Sequence, residues 1–184
     1  RIRPGGPPVT PLTVGVAIAV PEPHGSMLRQ MRGSFGDPLA QSVPSHVTLL
    51  PPHDVDADEL DEICARLDKT AGGVPAFRMR LRGTGTFRPV SPVVFVTVHS
   101  GFVATEVLAG RLRLAINSPP ATEFAFHPHV TVAHHLDDAA LDHADHALRD
   151  FECEFEVDEF ALYLHDDAVG WQPQRHFALA PRPW

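Results

Sequence analysis

The tripeptide His-Val-Thr occurs twice in the chain, beginning at His46 and at His129. Both copies lie among β-branched residues, which favour strands. Because residues i and i+2 of a strand share a face, each copy is predicted to aim an imidazole and a hydroxyl, from Thr48 or Thr131, in one direction. Random order of these amino acids gives about 0.07 copies of the tripeptide, so composition alone does not explain the repeat. Two such pairs meeting in one cleft would supply two acid/base groups and two neutral hydrogen-bond donors.

Strand and helix patterns alternate along the rest of the chain. Strands are predicted at residues 12–20, 43–50, 77–82, 93–98, 124–134, 153–164 and 176–179. Helices are predicted after a cap at Ser26, from Asp56 to the Gly72-Gly73 pair, from Phe102 to Ile116, and after a cap at Asp137 or Asp138.

Three details of this pattern bear on the fold. Pro51-Pro52 is predicted to end the first motif strand, because proline lacks the backbone donor of a sheet ladder. Trp171 is predicted to lie in a turn. The third helix is predicted to face inward through Val103, Val107 and Leu108.

The order of these elements indicates an α+β fold, in which antiparallel sheets carry helices on one face and bury their apolar stripes. The motif histidines are 83 residues apart, a little under half of the chain, which fits two related lobes produced by a duplication. We expect a flexible arm at residues 1–11, where four prolines and two glycines occur, and one bilobal domain at residues 12–184.

Charge and composition exclude several classes of protein. The net charge of −8 argues against a protein that coats long duplex nucleic acid, since neutralising phosphates needs a basic surface. It leaves room for a nucleotide or an RNA end in a local cleft. The longest apolar run near the start, residues 14–20, is too short to span a membrane. Cys64 and Cys153 are expected to be buried free thiols in a reducing cytoplasm, and we expect a monomer.

Paired His-x-Thr/Ser motifs in the two halves of a chain of this size resemble the signature of the two-histidine (2H) phosphoesterases. The similar branch is that of the 2′-5′ RNA ligases and cyclic phosphodiesterases, and the resemblance covers Leu12 to Leu179. It implies two pseudo-symmetric lobes of antiparallel sheet with outer helices around a central cleft. It also implies that the two histidines act as general acid and general base, and that both threonine hydroxyls bind phosphate oxygens.

The chain departs from that family pattern at two places. Relatives often carry arginine three residues after the threonine of the second motif, where this chain has His134. The stretch after the first motif, residues 49–53, reads Leu-Leu-Pro-Pro-His and differs from the best-known RNA ligase members. These departures concern the substrate rather than the fold.

The paired motifs suit hydrolysis of a 2′,3′-cyclic phosphate. A base must deprotonate water and an acid must protonate the departing ribose oxygen, and histidines with an ordinary pKa of about 6.5 serve both roles near neutrality. The hydroxyls of Thr48 and Thr131 would donate to the phosphate oxygens as charge develops. This chemistry requires neither metal nor cofactor. The pseudo-symmetry of the motifs leaves open which histidine is the acid, and we favour His46 as the acid and His129 as the base.

Further residues are candidates for contact with the substrate. Arg88 and Phe87 occupy a loop between two strands, and His134 follows the second motif closely. The rings of Phe87, Tyr163 and Trp171 are candidates for base stacking, with burial in the core as the alternative for each. The alternating arginines at positions 78, 80 and 82 form either a solvent-facing surface or a phosphate-binding wall. His127 shares a strand face with His129 and either tunes its charge or holds the strand.

Three other functions compete with cyclic phosphate hydrolysis. The same site run in reverse, with a ribose hydroxyl as the attacking group, would ligate RNA 2′-5′. His127, His129, His134 and His135 have spacings that resemble a metal-binding protein, although this hypothesis does not explain the threonine in both motifs. A non-catalytic binder of RNA ends is the third alternative, which the acidic net charge disfavours.

Overall fold

The structure is a computed structural model that describes residues 11–116 and 124–182. The strands of this part of the chain are β1 Pro11–Ala19, β2 His46–Asp56, β3 Phe77–Thr86, β4 Val93–Ser100, β5 His129–His134, β6 Glu152–Val157, β7 Glu159–Asp166 and β8 Gly170–Ala178. The α-helices are α1 His24–Ser34, α2 Leu60–Ala71, α3 Phe102–Ala115 and α4 Asp138–Leu148. Short 3₁₀ turns occupy Pro38–Gln41 and Ala57–Glu59.

The strands form two antiparallel sheets of four strands each within the described residues. The first sheet has the order β2-β1-β7-β8 and the second the order β5-β4-β3-β6. The two motif strands, β2 and β5, are therefore edge strands, and each lies against the other where the sheets meet. The predicted α+β fold of two antiparallel lobes is confirmed.

The helices that precede the motif strands pack on the opposite lobe. Helix α1 leads into β2 but lies against β5, and α3 leads towards β5 but lies against β2. The Ser45 hydroxyl, one residue before the first motif, donates to the carbonyl of Gly25 on α1 at 2.9 Å. Helix α1 thus touches both motif strands, one through the segment before β2 and the other by direct packing.

The middle residue of each motif fixes the direction of its neighbours. Val47 and Val130 are fully buried in a single hydrophobic core that extends through both sheets. Burying a side chain of this kind contributes about 1.5–3 kcal/mol. A slip of one residue would expose the valine and bury the histidine and threonine, so the core specifies the register of both motif strands.

Several predicted element boundaries were wrong. Strand β2 does not end at Pro51-Pro52 but continues to Asp56, since the prolines fall in a shift of register between Leu50 and His53 at the free edge of the sheet. Strand β5 begins at His129 rather than at position 124. Trp171 lies in β8, paired with His165, and not in a turn.

The inward face of α3 was also predicted wrongly. Val103 is 69% exposed and Val107 is 45% exposed, whereas Leu108 is buried as expected. The buried stripe consists of Thr105, Leu108, Ala109 and Leu112. Since α3 carries apolar residues on more than one side, the sequence pattern did not select the correct face.

The predicted caps had mixed outcomes. Asp137 caps α4 by accepting a hydrogen bond from the backbone amide of Ala140 at 2.8 Å, as expected. Asp56 makes no side-chain cap bond. Ser26 lies inside α1, and its hydroxyl donates to the carboxylate of Glu22 at 2.6 Å.

Both cysteines are free and buried, as predicted. Burial raises the pKa of the Cys153 thiol to about 11, which keeps it protonated at neutral pH. In the described ranges, 11–116 and 124–182, none of the helices has the length and apolar character to cross a membrane.

Candidate active site

The two motifs present their polar side chains on the side of each strand that faces away from the core. With Val47 and Val130 directed into the core, His46 and Thr48 share one face of β2, and His129 and Thr131 share one face of β5. These four side chains are half-buried. The positive charge of a protonated His46 lowers the pKa of His129, so the structure brings the two rings within electrostatic reach of one another.

Each motif imidazole is held by the carbonyl two residues before it. Nδ1 of His46 donates to the carbonyl of Pro44 at 2.6 Å, and Nδ1 of His129 donates to the carbonyl of His127 at 2.7 Å. A carbonyl only accepts, so Nδ1 carries the proton in the neutral ring and Nε2 has a free lone pair. Both histidines therefore have the tautomer in which Nε2 can accept or return a proton.

The environment lowers the pKa of both histidines below the ordinary value. For His46 the main cause is burial, which the hydrogen bond to Pro44 partly opposes, and the charge of Arg32 lowers the pKa further. For His129 the main cause is again burial, opposed by the bond to the His127 carbonyl, with additional lowering by the charges of His127 and His46. Neutral imidazoles are thus favoured by the protein itself, and a bound phosphate anion would oppose this effect.

A pocket with about 410 Å³ of empty space lies beside the first motif. Its floor includes the small residues Gly15 and Ala17 of β1, and Ala17 stands opposite Thr48 on β2. The walls are aromatic and come from β7 and β8. The lining includes Gly15, Ala17, His46, Thr48, Tyr163 and Trp171.

Gly15 allows the indole of Trp171 to lie close to β1. A β-carbon at this position would be 3.4 Å from the ring, at the limit of comfortable contact. Burial raises the pKa of Tyr163, with a smaller contribution from Glu159, so its phenol stays protonated at neutral pH. The pocket thus combines flat apolar rings with one hydroxyl, a lining typical of a small-ligand site.

The surroundings of the second motif are filled instead of open. The ring of Phe87 stands edge-on to His129, with centroids 5.0 Å apart, and Phe95 lies 5.1 Å from the same imidazole. Phe95 is opposite Thr131 on β4. Gly85 makes room for it on β3, since a β-carbon there would be 2.7 Å from the phenyl ring.

Three of the four predicted substrate-contact residues lie around the two motifs in different settings. Tyr163 lines the pocket, and Phe87 packs on His129. His134 stacks on His135 with centroids 3.8 Å apart, and burial, the charge of His135 and the charge of Arg32 lower its pKa against an opposing effect of Asp37.

Arg88 is held away from the motif side chains by two carboxylates of α4. Its terminal nitrogens lie 3.2 Å from Asp138 and 2.8 Å from Asp142. These ion pairs occupy N–H donors of the guanidinium group that a contact with phosphate would need. As a result, Arg88 lies in the loop predicted for it, between β3 and β4, but is engaged with α4.

The arginine stripe of β3 has the setting of a solvent-facing surface. Arg78 pairs with Glu154 at 2.9 Å, and Arg80 and Arg82 both pair with Glu152 on the adjacent strand β6. Each pair is substantially exposed. Exposed pairs of this kind contribute only about 0–1 kcal/mol. The three arginines are engaged with carboxylates on an exposed sheet surface and are not among the residues that line the pocket beside the first motif.

The sequence pattern gave the wrong element for one residue near the site, Trp171, and no role for another, Arg32. Trp171 was placed in a turn, because the proline and polar residues after it obscure the alternation of β8. Arg32 had no assigned role, yet it occupies the buried face of α1 in register with Leu28 and Phe35. A charge at a position of spacing i, i+4, i+7 within an apolar stripe is a signal that would have identified it.

The described residues give no support to the metal-binding alternative. Over residues 11–116 and 124–182 there is no group of three or more His, Cys, Asp or Glu side chains with the geometry to hold a metal ion. His143 and His146, on α4, are exposed, as expected for a solvated helix face. The ring of His143 stands edge-on to Phe35 of α1.

A family model described as the 2′-5′ RNA ligase superfamily matches residues 20–168. Among curated proteins, a Bacillus cytotoxicus protein named "Putative phosphoesterase" is 30% identical over 151 residues, covering 78% of this chain and 83% of its own length. A Bacillus anthracis protein of the same name is 28% identical over 160 residues, with the same coverage of both chains.

Solved structures share the fold at lower identity. Escherichia coli LigT complexed with 3′-AMP superposes with a TM-score of 0.67 at 21% identity, covering 92% of this chain and 99% of LigT. TT0787 of Thermus thermophilus superposes with a TM-score of 0.67 at 23% identity, covering 93% of this chain and all of that one. At these identities the superposition demonstrates a common two-sheet architecture.

Proposed function

Because the chain belongs to the 2′-5′ RNA ligase superfamily, we propose that it hydrolyses a 2′,3′-cyclic phosphate on a nucleotide or at an RNA end. The observation that carries the proposal is the duplicated hydrogen bond from Nδ1 to a backbone carbonyl at His46 and His129. It leaves two Nε2 atoms, one from each sheet, free for proton transfer. The chemistry needs one proton acceptor and one proton donor on opposite sides of a phosphorus atom.

The position of the pocket supports His46 as the acid and His129 as the base. A nucleobase stacked between Tyr163 and Trp171 would bring its ribose beside His46, which lines the same pocket. The departing oxygen belongs to that ribose, so we assign its protonation to His46. The attacking water then approaches from the opposite side, where His129 removes its proton.

Each proton and bond has a place in this scheme. Water loses a proton to Nε2 of His129 and forms a new P–O bond, while the bond from phosphorus to one ribose oxygen breaks and that oxygen takes the proton of His46. The product is a ribose phosphomonoester with a free neighbouring hydroxyl. Thr48 and Thr131 donate to the non-bridging oxygens as their charge increases, an effect that is strongest for donors already in place.

The lowered pKa of both histidines fits a mechanism in which the bound substrate creates the acid. Without substrate both rings are mainly neutral at neutral pH, so a neutral base is available. Binding an anionic phosphodiester next to His46 stabilises its protonated form, since an opposite charge within a few ångströms raises the pKa of an imidazole. The acid is thereby generated where it is needed.

The proposal is tested by product analysis. The protein is incubated with EDTA and a panel of 2′,3′-cyclic nucleotides and oligoribonucleotides that end in a cyclic phosphate, and products are identified by ³¹P NMR and mass spectrometry. We expect a single phosphomonoester isomer and full activity in EDTA. Joined oligonucleotides without monoester would support ligation as the function instead, and loss of turnover on chelation would contradict metal-independent catalysis.

A further inference from the structure

Arg32 is a buried charge whose guanidinium is only partly satisfied. The residue is 5% exposed in the last turn of α1. Its Nε donates to the Asp37 carboxylate at 2.8 Å, and both side chains of this ion pair are buried. No hydrogen bond joins either terminal nitrogen to another residue within the described ranges, and neither nitrogen is sealed from solvent there.

Asp37, in contrast, uses both carboxylate oxygens. One accepts from Nε of Arg32, and the other accepts from the backbone amide of Leu39 at 2.9 Å. A carboxylate with two fixed donors is a rigid support for the guanidinium. The unsatisfied hydrogen-bonding capacity of the pair therefore lies entirely on the terminal nitrogens of Arg32.

The packing of α1 places Arg32 near the motif strands. The helix is attached at Gly25 to the residue before His46 and packs on β5, which carries His129 and His134. The charge of Arg32 lowers the pKa of both His46 and His134, so the guanidinium is within electrostatic reach of a residue on each motif strand. A phosphate between the two motif histidines would lie in the same region.

We propose that Arg32 binds a non-bridging oxygen of the substrate phosphate through its terminal nitrogens, and that Asp37 is the residue that positions it. This inference rests on the proposed function for the identity of the substrate. Guanidinium and phosphate match in geometry and charge, and such bonds are about twice as strong as neutral ones. The neutral hydroxyls of Thr48 and Thr131 would then share the developing charge with one cation.

The bonding pattern distinguishes this role from that of an ion pair that only holds α1 to the following turn. Arg32 uses Nε alone for Asp37, and the four N–H groups of its terminal nitrogens have no protein partner within the described residues. A phosphate oxygen can therefore bind these groups without breaking a contact within the protein, as expected for a binding site.

The test uses the whole protein and a paired substitution. Arg32→Gln with Asp37→Asn removes both charges together, so no lone buried carboxylate remains, and the asparagine oxygen can still accept from Leu39. The control is Arg78→Gln with Glu154→Gln, which neutralises an exposed pair on the outer face of the second sheet. Inorganic phosphate and adenosine are titrated separately while the imidazole resonances of His46 and His129 are followed by NMR.

For the Arg32/Asp37 variant we expect the Kd for inorganic phosphate to rise by about 10-fold or more, and kcat/KM for a cyclic nucleotide to fall by about 10²-fold. The Kd for adenosine should not change, because the pocket that holds the base is intact. The titration midpoint of His46 should move to higher pH, since a positive charge that lowers its pKa has been removed. The control should match the parent in all four measurements.

An unchanged phosphate Kd and an unchanged His46 midpoint would overturn the proposal and leave Arg32 with a structural role. If the paired variant does not fold by circular dichroism, Arg32→Lys decides. It keeps the charge but loses the planar fork, so an increased phosphate Kd is expected, and a parental value would refute the role. If the parent hydrolyses no cyclic phosphate but its phosphate affinity still depends on Arg32, the proposed function fails while the binding role stands.

Discussion

The two motifs hold their histidines in the same way but have different neighbours. In both, a buried valine fixes the strand and a carbonyl two residues back fixes the ring. Around His46 the neighbours on β1 are alanines, and the space above them is an open pocket. Around His129 the corresponding space contains Phe87 and Phe95.

This difference suggests a division of labour within a duplicated site. The features common to both motifs are those needed for proton transfer, namely the tautomer, the lowered pKa and the hydroxyl two residues on. The features that differ concern what lies beside the phosphate. A base can stack in the first lobe, whereas packed rings limit the second lobe to a small group such as water.

The largest expected effect comes from removing either proton-transfer group. His46→Gln and His129→Gln should each lower kcat by about 10²–10⁴-fold, because general acid or base catalysis contributes that much. The double variant should be little worse than either single one, since the two groups act in one step. Steady-state kinetics with a cyclic nucleotide measure this effect.

His143→Gln is the matched control for these variants, because His143 is exposed on α4. It should retain parental kcat. A loss at His143 comparable with that at His129, or activity in the double variant, would show that the site has been assigned to the wrong residues.

A smaller effect distinguishes the two lobes. Trp171→Ala removes a stacking wall of the pocket and should raise KM for a cyclic nucleotide by an amount equivalent to about 1–3 kcal/mol. Phe87→Ala, made on the filled side, should act mainly on kcat, because that ring orients His129 and does not contact the base. Equal effects of the two variants on KM would remove the proposed distinction between the lobes.

The smallest expected effect is on the pH at which kcat/KM reaches its maximum. Both histidines have a lowered pKa in the free protein, mainly through burial. The base must be neutral, so kcat/KM falls as pH drops through its pKa, and the acid must be protonated, so kcat/KM falls as pH rises through its pKa. Both limbs therefore belong below the ordinary histidine value of about 6.5, and the maximum of kcat/KM should lie there too.

The profile for kcat reports the bound complex, so its alkaline limb should lie at higher pH than that for kcat/KM, because the phosphate anion raises the pKa of the acid. Apparent values belong to the histidine pair and not to single residues. A kcat/KM maximum above pH 7 would contradict the lowered pKa of the free site.

The sequence was sufficient to predict the repeated motifs and the features that depend on near neighbours in the chain. The two motifs, the antiparallel α+β fold and the Asp137 cap could all be predicted, since alternation and capping depend on near neighbours. Strand β2 was cut short because the effect of Pro51-Pro52 depends on which strand edge is free, a property of the sheet. The wrong face of α3 was selected because its apolar residues are distributed around the helix.

The site could be predicted only in part for the same reason. His46, Thr48, His129 and Thr131 identify themselves by a repeated pattern. The pocket is formed where β1, β7 and β8 come together, and no local pattern links Gly15 to Trp171. The place of Arg32 depends on the packing of α1 on β5, which joins residues about 100 positions apart.

The crossed packing of α1 and α3 has a consequence for how this protein can evolve. In each lobe the motif strand contacts the helix that precedes the motif strand of the other lobe. In lobes that arise by duplication, such an exchange would make the two copies interdependent and would oppose the loss of either. The loops and pocket walls of the two lobes can then diverge. The contacts of α1, α3 and the two motif strands, which keep the imidazoles near one another, do not depend on those loops and walls.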